Sequence, residues 1–261
     1  RYMRFMKKII FFAYDLNLGG IEKSLVNLLN NLVDFYDITL VLEKNQGIYK
    51  QDLSKKVNII EHHVSTFKIS ILRKCYNFTK RLIFKVKHKN KYDFSCAYTP
   101  YLYSAIKLSK TCSKNNAIFI HADYTFVYQE QEFLEFFNSR KIEEFKKIVF
   151  VSNESKEHFI EKYPSLKNKT KVINNLVNVE EIVMKSKENI DIERNKEDII
   201  FAYVGRLEEH QKRISRLLSC FKILIKNNEN IKLWIIGDGE EKDNTKKFIE
   251  ENKLHDNILL L

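Results

Sequence analysis

Glycine and proline are scarce in this chain of 261 residues, which has only six of the first and two of the second. That scarcity excludes collagen-like, elastic and linker-dominated architectures. Cysteine is sparse and scattered. Cys75, Cys96, Cys112 and Cys220 form no C-x-x-C pair, so neither a zinc ribbon nor a disulfide scaffold is expected, and free thiols in a reducing compartment fit best. Long hydrophobic runs are missing too. The apolar stretch at residues 9–14 stops at Asp15, too short for a signal-peptide core or a membrane span. The sequence also lacks a D-x-D, a G-x-G-x-x-G and a Walker A motif. Support for a carboxylate-held metal, an ordinary dinucleotide site and a P-loop falls away accordingly, and no metal or cofactor is expected.

What is present describes a globular chain, with 44% hydrophobic and 30% charged residues. At roughly 100 to 200 residues per domain, that is one large domain or two smaller ones. The net charge of +11 is unevenly placed. Residues 1–177 hold 30 Lys and Arg against 17 Asp and Glu, whereas residues 178–261 hold 15 against 17. The break suggests two parts with different partners. Nucleic acid is not expected among them, because the 13% of aromatic residues follow no recognition pattern beside the basic ones. The chain opens on Arg1, with Met6 as a plausible start, and closes on an apolar run at residues 257–261, so a truncated protein is expected.

Short apolar runs alternate with segments of helical period. Strands are predicted at residues 8–14, 36–43, 57–61, 92–98, 117–121, 148–152 and 171–174, rich in Ile, Val and Phe with little alternation. Such strands are covered by helices on both faces. Helices are predicted at 66–87, 101–111, 130–145 and 153–163, and one with Ile21, Leu25, Leu28, Leu29 and Leu32 on a single face. Polar residues 185–197 read as a linker. The pattern then restarts with strands at 199–204, 231–236 and 257–261 and helices between them. Repeated β-then-α units imply a right-handed, doubly wound parallel sheet in each half.

Five of the six glycines follow a predicted strand: Gly19, Gly20, Gly205, Gly237 and Gly239. Parallel α/β sheets bind ligands outside the carboxyl ends of their strands, where glycine lets a phosphate reach backbone N–H groups at a helix N-terminus. Tight turns are the alternative for any one of them. Residues 204–213 also place Arg206 at a strand end and Lys212 at a helix start. Two such cations suit a diphosphate, although a solvated charged loop explains the same residues.

Several of these stretches resemble the motifs of a known family: Gly19-Gly20-Ile21-Glu22, His121 at a strand end, residues 204–212 with Arg216-Leu217-Leu218, and Ile235-Ile236-Gly237-Asp238-Gly239-Glu240. Together they are similar to the retaining, nucleotide-sugar-dependent glycosyltransferases of the GT-B fold, of the group 1, family 4 type. The resemblance runs along the whole chain and is strongest over residues 199–258. It implies two Rossmann-like domains facing a cleft: residues 1–176 binding the acceptor, 177–197 linking, and 198–261 forming part of the nucleotide-sugar domain. Arg206 and Lys212 would hold the donor diphosphate. Gly19, Gly20, Gly205, Gly237, Asp238 and Gly239 would line the donor site, and His121 would contact the transferred sugar. Glu22 would contact the acceptor. Two departures stand out. Leu176 replaces the usual glycine of an interdomain turn, and the family's two glutamates, seven residues apart, would lie beyond Leu261, so this chain would lack half of its donor pocket.

Residues 66–87 explain much of the charge asymmetry. At 100° per residue, Arg73, Lys74, Lys80, Arg81, Lys85 and Lys87 share one arc, and Ile71, Leu72, Cys75, Phe78, Leu82, Ile83 and Val86 share the other. Phe84 and Lys68 are exceptions. An apolar face bordered by Lys and Arg is the signature of a helix lying on an anionic membrane. A core-packed helix with a solvated basic face is the other reading.

The expected activity is transfer of a sugar, with retention and without metal, from a nucleoside-diphosphate sugar to a hydroxyl of a sugar or lipid-linked acceptor. The setting would be bacterial cell-surface polysaccharide or glycolipid synthesis, in the cytoplasm or at the inner face of the membrane. Two alternatives stay open: a sugar-nucleotide epimerase on the same fold, and a non-catalytic membrane-surface module.

Overall fold

The computed structural model describes residues 6–193, 195–226, 228 and 230–261. The chain divides between Ser186 and Lys187 into two compact units, each with its own parallel sheet.

In the first unit the strands are β1 (Lys7–Ala13), β2 (Tyr36–Leu42), β3 (Asn58–Glu61), β4 (Phe94–Ala97), β5 (Asn116–Ile120), β6 (Lys147–Phe150) and β7 (Thr170–Val172). Their order is β3-β2-β1-β4-β5-β6-β7, with every pairing parallel. The helices are α1 (Gly20–Leu32), α2 (Ser70–His88), α3 (Tyr103–Cys112), α4 (Glu130–Ser139), α5 (Asn153–Lys162) and α6 (Val179–Lys185). The order reverses between β1 and β4, the topological switch point where such sheets open a crevice for ligands.

The central strand shows why alternation is weak. Ile9 and Phe11 of β1 pack with Leu25, Val26 and Leu29 of α1 on one face. Ile10 and Phe12 pack on the other face with Phe84 of α2 and Leu102, Ala105 and Leu108 around α3. Both sets are desolvated, so no polar face is needed. Farther along the sheet, Ile118, Ile120, Ile148 and Phe150 meet Phe133, Phe137 and Phe159 of α4 and α5.

The second unit holds β8 (Ile199–Val204), β9 (Ile231–Ile236) and β10 (Ile258–Leu260), with α7 (Ile214–Ile225) and α8 (Lys242–Glu251) between them. Its order is β10-β9-β8, again parallel. Leu207, Ile214, Leu218, Phe221, Leu233, Ile235, Ile249 and Ile258 form its core.

Every predicted strand is present, with ends within two residues of those expected. The helices differ in three places. The helix expected over 130–145 stops at Ser139, because Lys141 takes a left-handed backbone (φ 49°) and a 3-10 turn, Ile142–Glu144, follows. The helix expected over 66–87 starts only at Ser70. Inside the expected linker, α6 forms under an Asn178 cap that accepts from the Glu181 N–H at 3.2 Å. Among the described residues, no helix is long and apolar enough to cross a membrane.

Candidate functional site

The residues singled out by sequence lie at the carboxyl edges of the two sheets. In the first unit, the loop after β1 is pinned by buried Asp15, whose carboxylate accepts from the Asn17 N–H at 3.1 Å, from the Asn17 side chain, and from Gln46 at 3.4 Å. The loop delivers Gly19 as the extended cap of α1. A Cβ on Gly19 would collide with the carboxylate of Glu22, which therefore lies over that glycine. Gly20 differs: a Cβ there would meet nothing within 4 Å. The fold itself leaves that space open.

His121 follows β5, its ring between Tyr98 (centroids 4.6 Å apart) and Phe119 (5.7 Å). Among the described residues, neither ring nitrogen has a hydrogen-bond partner of normal geometry. Burial pushes its pKa down to about 4, opposed in part by the Tyr98 backbone and the Asn175 side chain, so the imidazole is neutral at pH 7. Around it is a network that sequence reasoning missed. The Tyr98 hydroxyl donates to Ser24 Oγ at 2.9 Å, and Ser24 Oγ donates to Asn175 Oδ1 at 2.8 Å. Burial raises the Tyr98 phenol to about 12, which keeps it a donor. Asn27 of α1 donates to the Leu176 carbonyl at 3.1 Å. The segment carrying the unusual Leu176 is thus held on α1 by its backbone, which does not require glycine there. Thr99, just past β4, also buries a hydroxyl without a hydrogen-bond partner of normal geometry among the described residues, the Tyr101 hydroxyl lying near it. A polar residue ending an apolar strand was the only sequence signal for it. Two unsatisfied polar groups at the ends of adjacent strands are what a ligand with hydroxyls would satisfy.

In the second unit the loops after β8 and β9 are stitched together. Gly205 N donates to the Ile236 carbonyl at 3.1 Å, Leu207 N to that of Asp238 at 2.9 Å, and Glu241 N to that of Leu207 at 3.0 Å. A Cβ on Gly237 would overlap the Gly205 carbonyl oxygen, and one on Gly239 the Leu207 carbonyl oxygen. Close backbone approach accounts for both glycines. Asp238 turns its carboxylate onto its own loop, accepting from Gly239 N at 3.0 Å and pairing with Lys242 at 3.4 Å. These contacts, the Gly239 N–H first, hold it below the usual carboxylate range.

Arg206 and Lys212 are exposed on the loop from β8 to α7, and among the described residues neither pairs with a carboxylate within 4.0 Å. Glu208 shapes that loop by accepting from the N–H groups of Gln211 (3.1 Å) and Lys212 (3.0 Å). Lys212 does not begin the helix as expected. Arg213 intervenes with a left-handed backbone (φ 51°), and Glu209 caps the first turn of α7 through Ser215 N (3.1 Å) and Oγ (2.7 Å).

The fold divides the basic arc of α2 by exposure. Phe84 and His88 are buried, and Arg73, Lys80 and Arg81 are half-buried on the same inner side. Lys74, Lys85 and Lys87 are exposed. The apolar arc faces solvent: Ile71 is 73% exposed, Phe78 62%, Ile83 61% and Val86 75%. The exception in the sequence pattern, Phe84, is the residue that anchors the helix.

A first unit of seven parallel strands and a second parallel α/β unit, each with its polar residues at the carboxyl edge, define the GT-B class of fold. The Anabaena protein HepE, solved with UDP-glucose, superposes with a TM-score of 0.68 at 14% identity, over 98% of this chain and 68% of its own. Staphylococcus aureus TarM, solved with UDP, does so with a TM-score of 0.65 at 13% identity, over 98% of this chain and 77% of its own. In sequence, residues 184–261 match the family model described as Glycosyl transferases group 1. An uncharacterized glycosyltransferase of Methanocaldococcus jannaschii is 35% identical over 118 residues, which is 44% of this chain and 29% of that relative. The match thus spans under a third of the relative's length.

Proposed function

We propose that the protein transfers a sugar from a nucleoside-diphosphate sugar to a hydroxyl acceptor, with retention and without a metal. The observation that carries this reading is the match of residues 184–261 to the glycosyltransferase family, with Arg206 and Lys212 free of ion pairs among the described residues on the loop after β8. HepE was solved with UDP and UDP-glucose, and TarM with UDP, which supports a uridine-diphosphate sugar as the donor. The bond from the anomeric carbon to the diphosphate oxygen breaks, and the acceptor oxygen forms the new bond on the same face. The acceptor proton passes to the departing diphosphate, so no separate protein base is needed. Arg206 and Lys212 stabilise the charge that develops on that leaving group. His121, a neutral ring with no hydrogen bond of normal geometry among the described residues, hydrogen-bonds the transferred sugar. Gly19 and Gly20 line the donor site in this reading, with Gly20 uncrowded by its own unit, and Glu22 orients the acceptor. Gly205, Gly237, Asp238 and Gly239 hold the donor loop in shape.

The acceptor in this reading is a sugar or lipid-linked glycan of cell-surface polysaccharide or glycolipid synthesis, met at the inner face of the membrane. The solvent-facing apolar arc of α2, flanked by Lys74, Lys85 and Lys87, supports contact with an anionic bilayer.

Arg206→Ala and Lys212→Ala should each lower sugar transfer by about 100-fold or more, the usual cost of removing a transition-state charge stabiliser. Transfer of labelled sugar from UDP-sugars to acceptor, with circular dichroism to check the fold, measures it. Near-normal turnover would reject the phosphate role, and labelled sugar that is epimerised rather than transferred would favour the epimerase.

A further inference from the structure

A second cationic site lies within the first unit. A cavity of about 460 Å³ opens where the segments after β2, β3 and β4 meet the inner side of α2. That volume lies within the range of small-molecule pockets. Arg73, Lys74, Lys80 and Arg81 form its helical wall, and His62 and His63 its floor after β3. Among the described residues Glu43 is the only carboxylate on the lining, and Ser104 Oγ already donates to it at 3.2 Å. None of the four cations pairs with a carboxylate of the described residues within 4.0 Å.

The wall is built rather than incidental. Asn77 of α2 brackets Ser65, accepting from its N–H at 2.8 Å and donating to its carbonyl at 3.5 Å, so the loop after β3 is tied to the helix. Arg73 donates to the Phe67 carbonyl at 3.2 Å and Arg81 to that of Asn77 at 3.2 Å, which fixes both guanidinium groups. From the opposite side the first turn of α3 opens onto the same cavity, and no side chain caps it. Three of these cations, Arg73, Lys80 and Arg81, are half-buried without counter-ions, which is costly, and an uncapped helix N-terminus favours an anion. Three separate elements therefore turn positive charge or N–H groups toward one space.

We propose that this cavity is an anion subsite that takes a phosphate group carried by the acceptor. Its biological meaning rests on the acceptor role of the first unit, but anion binding there is testable without it. His62 supports the geometry: burial, then Lys80 and Arg81, hold it at about 4, so in the empty site it is a neutral hydrogen-bonding group. A phosphate oxygen would offset the field of those cations and relieve that depression.

The test is NMR of the full chain with labelled histidine, titrated with inorganic phosphate while UDP saturates the donor loop. The expected result is saturable movement of the His62 and His63 signals, weakened at least tenfold in Lys74→Gln/Lys80→Gln and unchanged in Lys246→Gln of α8. Lys74→Gln alone, at an exposed position, covers the case in which the double variant does not fold, with a weakening of several-fold expected. Glycerol phosphate and phosphatidylglycerol vesicles then separate the sources. Competition by the first indicates a soluble phosphorylated acceptor, and by the second a lipid-borne phosphate. Signals that do not move, or that move equally in the Lys74 and Lys80 variants, would overturn the subsite. The donor reading fails separately, by loss of UDP affinity or by transfer that survives Arg206→Ala.

Discussion

At Gly237 the carbonyl oxygen of Gly205 occupies the space a Cβ would need, and at Gly239 that of Leu207 does the same. Both glycines also have positive φ (158°), where side chains are strained. Gly237→Ala and Gly239→Ala should therefore each destabilise the second unit by about 2 kcal/mol, in the range of overpacking. Gly20→Ala, with open space around it, should stay within about 0.5 kcal/mol while weakening UDP-sugar binding. Urea unfolding followed by Trp234 fluorescence measures the first pair, and far-ultraviolet circular dichroism with UDP-sugar titration the third. A stable Gly237→Ala would mean that the two loops are not tightly stitched. Sequence located these glycines at strand ends because their positions follow from the β-then-α rhythm. It could not say whether backbone or ligand occupies the missing Cβ, since both demand the same residue. His121 was legible by resemblance, whereas Tyr98, Ser24 and Asn175 come together across 74 and 151 residues of chain.

Helix α2 shows the same limit one level up. Its 3.6-residue period was plain, and so were its two arcs. Which arc turned inward was not, because that depends on what the neighbouring strands offer. Phe84 stacks on His88 (4.3 Å between centroids) and meets Phe12 edge-on at 6.0 Å, which draws the basic side toward the sheet. Phe84→Ala should thus cost about 3 kcal/mol or more, as for other buried aromatic truncations. Val86→Ser and Leu82→Ser, on the outer arc, should leave stability almost unchanged but reduce binding to vesicles that contain phosphatidylglycerol. Urea midpoints and co-sedimentation distinguish the two effects. If Val86→Ser proved as costly as Phe84→Ala, the outer arc would have to be packed against protein. If vesicle binding survived both serine variants, membrane contact through this face would be rejected.

For the molecule as a whole, the parallel sheets were legible because strands buried on both faces leave continuous Ile, Val and Phe runs, and the two-part charge break showed where the pattern restarts. The acid response was not legible, because it depends on burial. His62 and His121 are both held near 4 against an ordinary 6.5, first by desolvation. Burial lowers His88 as well. Between pH 6.5 and 4 the unfolded chain binds more protons at these positions than the folded one. Their contribution is therefore fully present above pH 6.5 and is lost progressively as the pH falls toward 4. For two histidines that is on the order of a few kcal/mol, since each tenfold loss of proton affinity is worth about 1.4 kcal/mol. Half-buried His158 acts in the opposite sense, raised mainly by its hydrogen bond to Asp123, and solvent partly screens that pair. Glu144, Glu157 and Glu181 are held below 4.5 by neighbouring lysines, so their contributions fade only under stronger acid. All the affected histidines lie in the first unit, as does every tyrosine of the described residues except Tyr203, whereas Trp234 reports the second. The urea midpoint of the tyrosine near-ultraviolet signal should accordingly fall from pH 7 to pH 5. In His62→Gln/His121→Gln it should change much less over the same interval. Equal slopes in the two proteins would show that these rings take up protons in the folded state, and that His121 is not the neutral group the proposed sugar contact requires.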